Sequence, residues 1–393
     1  MFGHSAADAQ NIRFTGFVKT DAYSDNRELV SAREGQFALF PLPERIINGE
    51  DLNENRQFNM VSIQTRVTGH ISGPDAFGAR TSGMIEGAFF GVTDANINTF
   101  RMRHAFVRLD WENTQLIVGQ FWHPMFITQS FPEVVNFNTG VPFQAFSRNP
   151  QVRLTYKMGD ISLIAAALTQ RDFAGPGGSQ PLRNAGIPNL HAGIQGTAGG
   201  HHFGTGVDFK TVVLENKFTE SANSLAAFAF ARLNFGGPFF KVYGLVGQNM
   251  TDHLMIGGLA REAVSGGKDK VYPTDIFSVW TELSTGFRGD SEGIRTEFGI
   301  FAGYTQNLGV SEDGLTPVPG SRGLAFGAAY PDTGLDYVWR VSPRAQMQSG
   351  PVRFAAEFEY TVAAYGPFNT DLTIRDSETV GNFRIQLSAY LFF

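Results

Sequence analysis

Arg and Lys recur at alternate positions in segments whose other positions are apolar, and that spacing is the chemistry this sequence offers. Val352, Phe354, Ala356, Phe358, Tyr360 and Val362 alternate with Arg353, Glu357, Glu359 and Thr361. Ile294, Phe298, Ile300, Ala302 and Tyr304 alternate with Arg295, Glu297 and Thr305. Leu335, Tyr337, Trp339 and Val341 alternate with Asp336, Arg340 and Ser342. The same parity rule puts Arg13, Lys19, Arg66, Arg101, Arg103, Arg153, Lys157, Lys210, Arg232, Lys241, Arg288, Arg344 and Arg384 on the polar face. The acids on that face are fewer: Asp21, Glu86, Asp208, Glu282, Glu297, Asp336, Glu357 and Glu359. Cationic side chains around a narrow aqueous space favour anions and raise their local concentration. If the charges pair across strands instead, no net field remains. Catalytic patterns are absent: there is no G-x-S-x-G and no H-E-x-x-H. His104 and His191 stand alone, and His201-His202 reads as a solvated Gly-rich turn. With no cysteine either, no metal or cofactor is expected and the chain is read as non-enzymatic.

Period-two alternation belongs to β-strands, so strands must position these groups. The clearest is the last: Phe383, Ile385, Leu387, Ala389, Leu391 and Phe393 enclose Arg384, Gln386 and Ser388. Strands of soluble domains are usually about five or six residues long, and this one runs about twice that, to the final Phe. It resembles the C-terminal signal of bacterial outer-membrane proteins, which implies membrane insertion as a barrel. A lipid exterior and a wet lumen fit bare apolar residues on one face and ionic ones on the other. A soluble barrel inverts the faces, and periodicity alone does not separate the two.

Composition narrows the class. The chain has 393 residues, 42% hydrophobic and 17% charged, which is neither disordered nor highly solvated. Its longest apolar runs, such as Leu163 to Leu168, fall far short of the roughly 20 residues a membrane helix needs. The formal charge of -6 gives no support for a nucleic-acid partner. Phe, at 37 residues, far outnumbers Tyr at 10 and Trp at 4, as suits a lipid-facing surface. No signal peptide is visible. Ala7-Asp8-Ala9 resembles the small-x-small end of a cleavage site, so residues 1–11 read as a short remnant of processing or as a loose polar start.

Residues 12–393 are expected to form a single transmembrane antiparallel β-barrel. Strands fall near 12–23, 56–69, 79–91, 98–110, 114–125, 150–158, 160–170, 188–197, 201–214, 222–235, 238–250, 274–288, 294–308, 334–348, 351–365 and 378–393. That is about sixteen, an even number with both termini periplasmic, as is usual in bacterial barrels. Dropping the strand near Asn189 to Gln195 makes the count odd and slips the loop phase. Arg108 lies on the opposite parity from Arg101 and Arg103, so alternation does not phase the fourth strand. Segments 160–170 and 222–235 are apolar on both faces, as a subunit contact or a packed inner loop requires. Tyr23, Trp111, Trp122, Tyr156, Tyr304, Tyr365, Phe392 and Phe393 are expected in interfacial aromatic belts.

Barrels of roughly sixteen strands leave an aqueous channel. Tight links such as Gly159-Asp160 alternate with long ones such as Ser24 to Asn55. The loop after the fifth strand, 126–149, is the third external one and carries Pro132, Pro142, Phe131, Phe137, Phe143 and Phe146, with Glu133 and Arg148 its only charges. So apolar a loop belongs against the inner wall, as a constriction, or on a partner subunit. The candidate pore-lining and constriction residues are therefore Arg66, Glu86, Arg101, Arg103, Glu133, Arg148, Arg153, Lys210, Arg295, Arg340 and Arg353.

Arg101-Met102-Arg103-His104-Ala105-Phe106, with Val118-Gly119-Gln120-Phe121-Trp122, is similar to the fourth and fifth strands of DcaP-like porins and the related trimeric porins of Bacteroidota. Phe131 to Asn138, through Ser147-Arg148, resembles their constriction loop. Asp208-Phe209-Lys210-Thr211 and Gln248-Asn249-Met250-Thr251-Asp252 also resemble that group. The resemblance spans nearly the whole chain. It implies a homotrimer of sixteen-stranded barrels in the outer membrane, surrounded by lipid and passing small polar or anionic solutes by passive diffusion. A dedicated substrate-specific channel is the alternative, and an outer-membrane enzyme a remoter one. One departure is the brief stretch before the first strand, which leaves no room for the helical extension common in DcaP-like proteins.

Overall fold

The computed structural model describes residues 11–170, 172–290 and 293–393. Residues 1–10, with Ala7-Asp8-Ala9, lie outside the described residues. Alternating sequence becomes sixteen antiparallel traverses. They are β1 (Asn11–Asp25), β2 (Gln57–Val61 continued by Arg66–Ser72), β3 (Arg80–Ala88), β4 (Arg101–Asp110), β5 (Thr114–Trp122), β6 (Arg148–Met158), β7 (Ile161–Leu168) and β8 (Asn189–Ala198). The second half is β9 (His201–Val212), β10 (Ala222–Asn234), β11 (Phe239–Gln248), β12 (Asp275–Ser284), β13 (Ile294–Gly309), β14 (Thr333–Ser349), β15 (Val352–Pro367) and β16 (Glu378–Phe392). Each pairs with its neighbours in sequence, and β1 closes on β16 from Phe17↔Phe392 to Ser24↔Ile385. Closure leaves no strand edge, the condition for a sheet to cross hydrocarbon. No described helix is long and apolar enough to cross a membrane.

The terminal Phe takes part in that closure. Gly16 N–H donates to Phe393 O at 2.9 Å, and Phe393 N–H returns to Gly16 O at 3.1 Å. A Cβ on Gly16 would lie 2.1 Å from Arg66 O and 2.9 Å from the Phe393 ring, so only glycine lets β1, β2 and the chain end meet.

The burial pattern is that of a membrane barrel. On the outer face Phe14, Phe58, Phe298, Phe354 and Leu387 are more than half exposed, while their inward neighbours Lys19, Glu297, Glu357 and Arg384 are nearly inaccessible. Eight longer connections share one end of the barrel: L1 (26–56), L2 (89–100), L3 (123–147), L4 (169–188), L5 (213–221), L6 (249–274), L7 (310–332) and L8 (368–377). The connections at the other end are mostly shorter turns. At Gly199-Gly200 both residues have positive φ, as a two-residue hairpin turn demands. The ends of β1 and β16 meet at this same end.

Three local features depart from simple alternation. Between the halves of β2 the ladder lapses, and Lys19 N–H is satisfied instead by Thr65 Oγ1 at 3.1 Å. On β4 the pairing with β3 shifts at Glu86/Gly87, so Arg103 is an extra residue. Such a bulge sets two residues of one strand against one of its partner. Arg103 and His104 therefore both turn inward, and Arg108 regains the inner face. On β14 the pairing with β15 shifts between Leu335 and Val338, both fully buried. Asp336, expected inside, instead joins Gln306 of the outward parity at 3.4 Å and Ser377 at 2.8 Å.

The aromatic belt also needs correcting. Tyr156 and Phe393 face outward as expected. Tyr23 and Tyr365 are buried, their hydroxyls donating to Glu34 O and Pro41 O in L1. Trp122 stacks on Phe126 of L3 at 4.0 Å. Each points inward because an in-folded loop gives its polar tip or ring a partner.

Candidate functional site: the loop-filled lumen

The apolar core lies inside the barrel, on the half nearest the long loops. L3 crosses the lumen and buries Phe137, Val141, Phe143 and Phe146. Inward rings on the wall receive it: Phe143 lies 5.9 Å from Phe301 of β13, and Tyr243 stacks with Phe228 and Trp280. That accounts for the doubly apolar segment 222–235, whose inner phenylalanines belong to this core. L1 enters as well. Its hairpin, Leu29–Ala32 with Phe37–Pro41, sets Phe37 5.3 Å from Phe137 and 5.7 Å from Phe146.

Polar tethers fix L3 in place. Glu357 accepts from the backbone N–H of Val135 at 2.6 Å and of Asn136 at 3.2 Å. Glu359 accepts from the amides of Asn136 and Asn138 at 3.1 and 2.8 Å. Lys19 Nζ donates to Val135 O at 2.9 Å, and Ser278 Oγ to Phe143 O at 2.9 Å. Lys241 Nζ reaches Phe131 O at 2.9 Å, Glu133 at 2.7 Å and Glu282 at 3.0 Å. Arg340 joins both loops, donating to Leu39 O of L1 at 2.5 Å and Val141 O of L3 at 2.7 Å. Hydrogen bonds with one charged partner are the strong ones, and L3 has them along much of its length.

A second group of charges is less balanced. Arg66 and Arg103 share Glu86, at 3.6 and 2.6 Å. Arg101 and Arg148 share Asp172 of L4, at 2.6 and 2.8 Å. Arg33 of L1 and Arg153 of β6 have no carboxylate within 4.0 Å among the described residues. Aromatic rings separate the guanidiniums. Arg33, Arg103 and Arg148 surround Phe90 at 4.6, 5.4 and 6.0 Å, and Arg153 lies 5.3 Å from the Phe121 ring. Burial lowers the Arg33 guanidinium to about 9, with Arg148 and Arg101 adding like-charge repulsion.

A cavity of about 300 Å³ lies between L3 and the wall, toward the short turns. Arg66, Arg103, Arg353 and Glu133 line it, with Phe17, Tyr390 and Phe392 among its aromatic surfaces. The Arg353 guanidinium sits 4.8 Å from the Phe392 ring, and that of Arg66 5.1 Å from Phe17.

The sequence-derived candidates thus separate. Arg66, Arg103, Arg353 and Glu133 meet at the cavity, with Glu86 behind them. Arg101 and Arg148 sit on Asp172, and Arg148 begins β6 rather than ending the loop. Arg153 lies beside them on the wall, and Arg295 lies toward the short turns, 5.8 Å from Phe287. Lys210 and Arg340 are away from the cavity. Lys210 is buried against Asp252 of L6 at 2.5 Å, and Arg340 is a loop anchor. Sequence reasoning missed Arg33 and Asp172, which lie in loops where no alternation marks an inward side.

No protein-family model matches the chain, and no curated protein matches it in sequence. Solved structures do match, over its full length. The outer-membrane channel DcaP of Acinetobacter baumannii superimposes with a TM-score of 0.70 at 16% identity, covering 100% of this chain and 99% of that one. The anion-selective porin from Comamonas acidovorans gives 0.56 at 8% identity, covering 98% and 100%. The trimer form of OmpT, an outer-membrane protein of Vibrio cholerae, gives 0.51 at 11% identity, covering 98% and 100%. End to end, this chain has the fold of DcaP-like outer-membrane porins.

Proposed function

We propose that the protein is a passive diffusion channel for small hydrophilic solutes across the outer membrane, with a mild preference for anions. The observation that carries the preference is local. Among the described residues, Arg33, Arg66, Arg101, Arg103, Arg148 and Arg153 have only Glu86 and Asp172 as carboxylate partners. An excess of fixed cations beside a constriction concentrates anions there, although the whole chain carries -6. The fold, the apolar outer face and the in-folded L3 support the channel reading. The short turns and both termini then face the periplasm, as in bacterial barrels generally. A homotrimer is proposed by analogy with the trimeric neighbour. The purified protein in planar bilayers should give single-channel steps and a reversal potential of anion-selective sign in a salt gradient. A reversal potential of cation-selective sign overturns the preference, and no conductance overturns the channel.

One observation favours a second reading, a substrate-specific channel. Arg66 and Arg353 each present a guanidinium beside an aromatic ring at the 300 Å³ cavity. A flat anionic solute would meet charge and stacking surface together. Saturable block of the current by one such solute, and not by others of equal size and charge, would favour this reading.

A further inference from the structure

Four side chains far apart in sequence meet at the root of L3. His123 begins L3, His191 is on β8, Asp208 on β9 and His253 in L6. None is more than about 5% exposed. Asp208 Oδ2 lies 3.4 Å from His123 Nε2 and 3.5 Å from His191 Nδ1. One ligand atom each from His123, Asp208 and His253 lie within 4.8 Å of one another. His123 Nε2, His191 Nδ1, Asp208 Oδ2 and His253 Nε2 are all buried, and none has a hydrogen-bond partner among the described residues.

That arrangement is costly as it stands. A buried carboxylate needs charge pairing or full hydrogen bonding. The nearby cations serve elsewhere: Lys210 is committed to Asp252 and Asn249 O, and Arg322 to Thr251 O and Met255 O. Among the described residues, the charge partners within 4.0 Å of Asp208 are the imidazoles of His123 and His191. We propose that His123, His191, Asp208 and His253 form a binding site for a divalent cation of the zinc class. Three imidazole nitrogens and a carboxylate oxygen suit zinc. Metal–ligand distances of about 2.0–2.1 Å in a tetrahedron set neighbouring ligand atoms about 3.3–3.4 Å apart, close to the two separations at Asp208.

The surroundings prepare the ligands unequally. The Ser147 hydroxyl donates to Asn149 Oδ1 at 3.0 Å, so its oxygen accepts from His253 Nδ1 at 3.0 Å. The proton then sits on Nδ1, and the Nε2 lone pair is free for a metal, the usual role of an outer-shell partner. His123 differs. Its Nδ1 accepts from Met125 N–H at 3.2 Å, and coordination through Nε2 moves the ring proton to Nδ1 and ends that contact. The metal would bolt the start of L3 and the turn of L6 to β8 and β9.

The test uses the full-length protein folded in detergent, stripped with EDTA and equilibrated with zinc ion. The expected result is about one zinc per chain, measured by elemental analysis after removal of free metal. Asp208→Asn and His253→Ala should each weaken retention by on the order of tenfold or more, and His202→Ala, at the far end of β9, should not. Heat-modifiable migration on gels confirms that each variant is folded. Cobalt bound to the wild-type chain should show the intense visible bands of a tetrahedral site, a reading that does not depend on any variant folding. No zinc retained by the wild type, equal retention by folded Asp208→Asn, or a weak octahedral cobalt spectrum overturns the site.

Discussion

Along β2–β6, Arg66 and Arg103 divide one carboxylate, and Arg101 and Arg148 divide another. Along β11–β16, Lys241, Arg340, Arg344 and Arg384 each have a carboxylate within 3.3 Å. Both arcs present the same alternating pattern, yet their cations do different work. On the second arc these four cations pair across strands or grip L3 and L1 and so contribute little net field, while Arg295 and Arg353, toward the short turns, rest on aromatic rings. On the first, cations outnumber acids and rest on aromatic rings. Partial neutralisation next to a constriction is what selectivity requires. Full neutralisation beneath a loop is what anchoring requires.

The comparison is broken most forcefully at Arg344. It pairs with Glu282 at 2.6 Å and Glu297 at 2.7 Å, and all three side chains are almost wholly buried. Arg344→Met leaves buried carboxylates short of a partner, a loss of about 3–5 kcal/mol. Arg66→Met removes a partly exposed cation whose partner Glu86 keeps Arg103 at 2.6 Å, so the loss should stay below about 1 kcal/mol. The temperature at which the folded gel band is lost should fall clearly for the first and barely for the second. Equal falls would mean that the two arcs do not differ in kind.

Arg340→Met sharpens the comparison through the loops. It removes the donor to Leu39 O and Val141 O, each bond from a charged donor being worth about 1.5–3 kcal/mol. At about 1.4 kcal/mol per decade, the displaced state of L3 should become at least about tenfold more populated. Single-channel records should then show larger, noisier openings with the ion preference unchanged. A changed preference with a quiet, wild-type conductance would place Arg340 in the permeation path instead.

How much of this is legible in the sequence follows from what alternation encodes. It reports the face of a regular strand, so the parity of Arg384, Glu357 and Arg353 is that of the inner wall, and counting back from Phe393 makes 126–149 the third of the loops that share one end. It says nothing where register shifts. The β4 bulge made Arg108 seem out of phase, and the β14 shift put Asp336 on the wrong face. Loops carry no period at all, so the entry of L1, with Arg33, left no mark in the sequence. The His–Asp cluster is the extreme case. His191 stood alone in sequence because its companions come from L3, L6 and a neighbouring strand, and only barrel closure brings them together.

The smallest expected effect concerns Glu133, where the two functions touch. Burial pushes its carboxyl up, but Lys241, Arg344 and Arg232 together hold it below the ordinary carboxylate range. A carboxyl whose folded pKa is depressed contributes stability above its unfolded value, and that contribution is lost as pH falls through the folded one. The Glu133–Lys241 tether should therefore stay intact from about pH 7 to about pH 5, and conductance noise should be flat across that window. Below the ordinary carboxylate range the tether weakens and L3 noise should rise. Because the Glu133 side chain is 39% exposed, screening keeps the effect under about 1 kcal/mol. Glu133→Gln should reproduce the acid behaviour at neutral pH and remove the acid-side rise. If noise instead changes between about pH 7 and 5, a group other than this carboxylate governs the loop, and the anchoring arc alone does not hold L3.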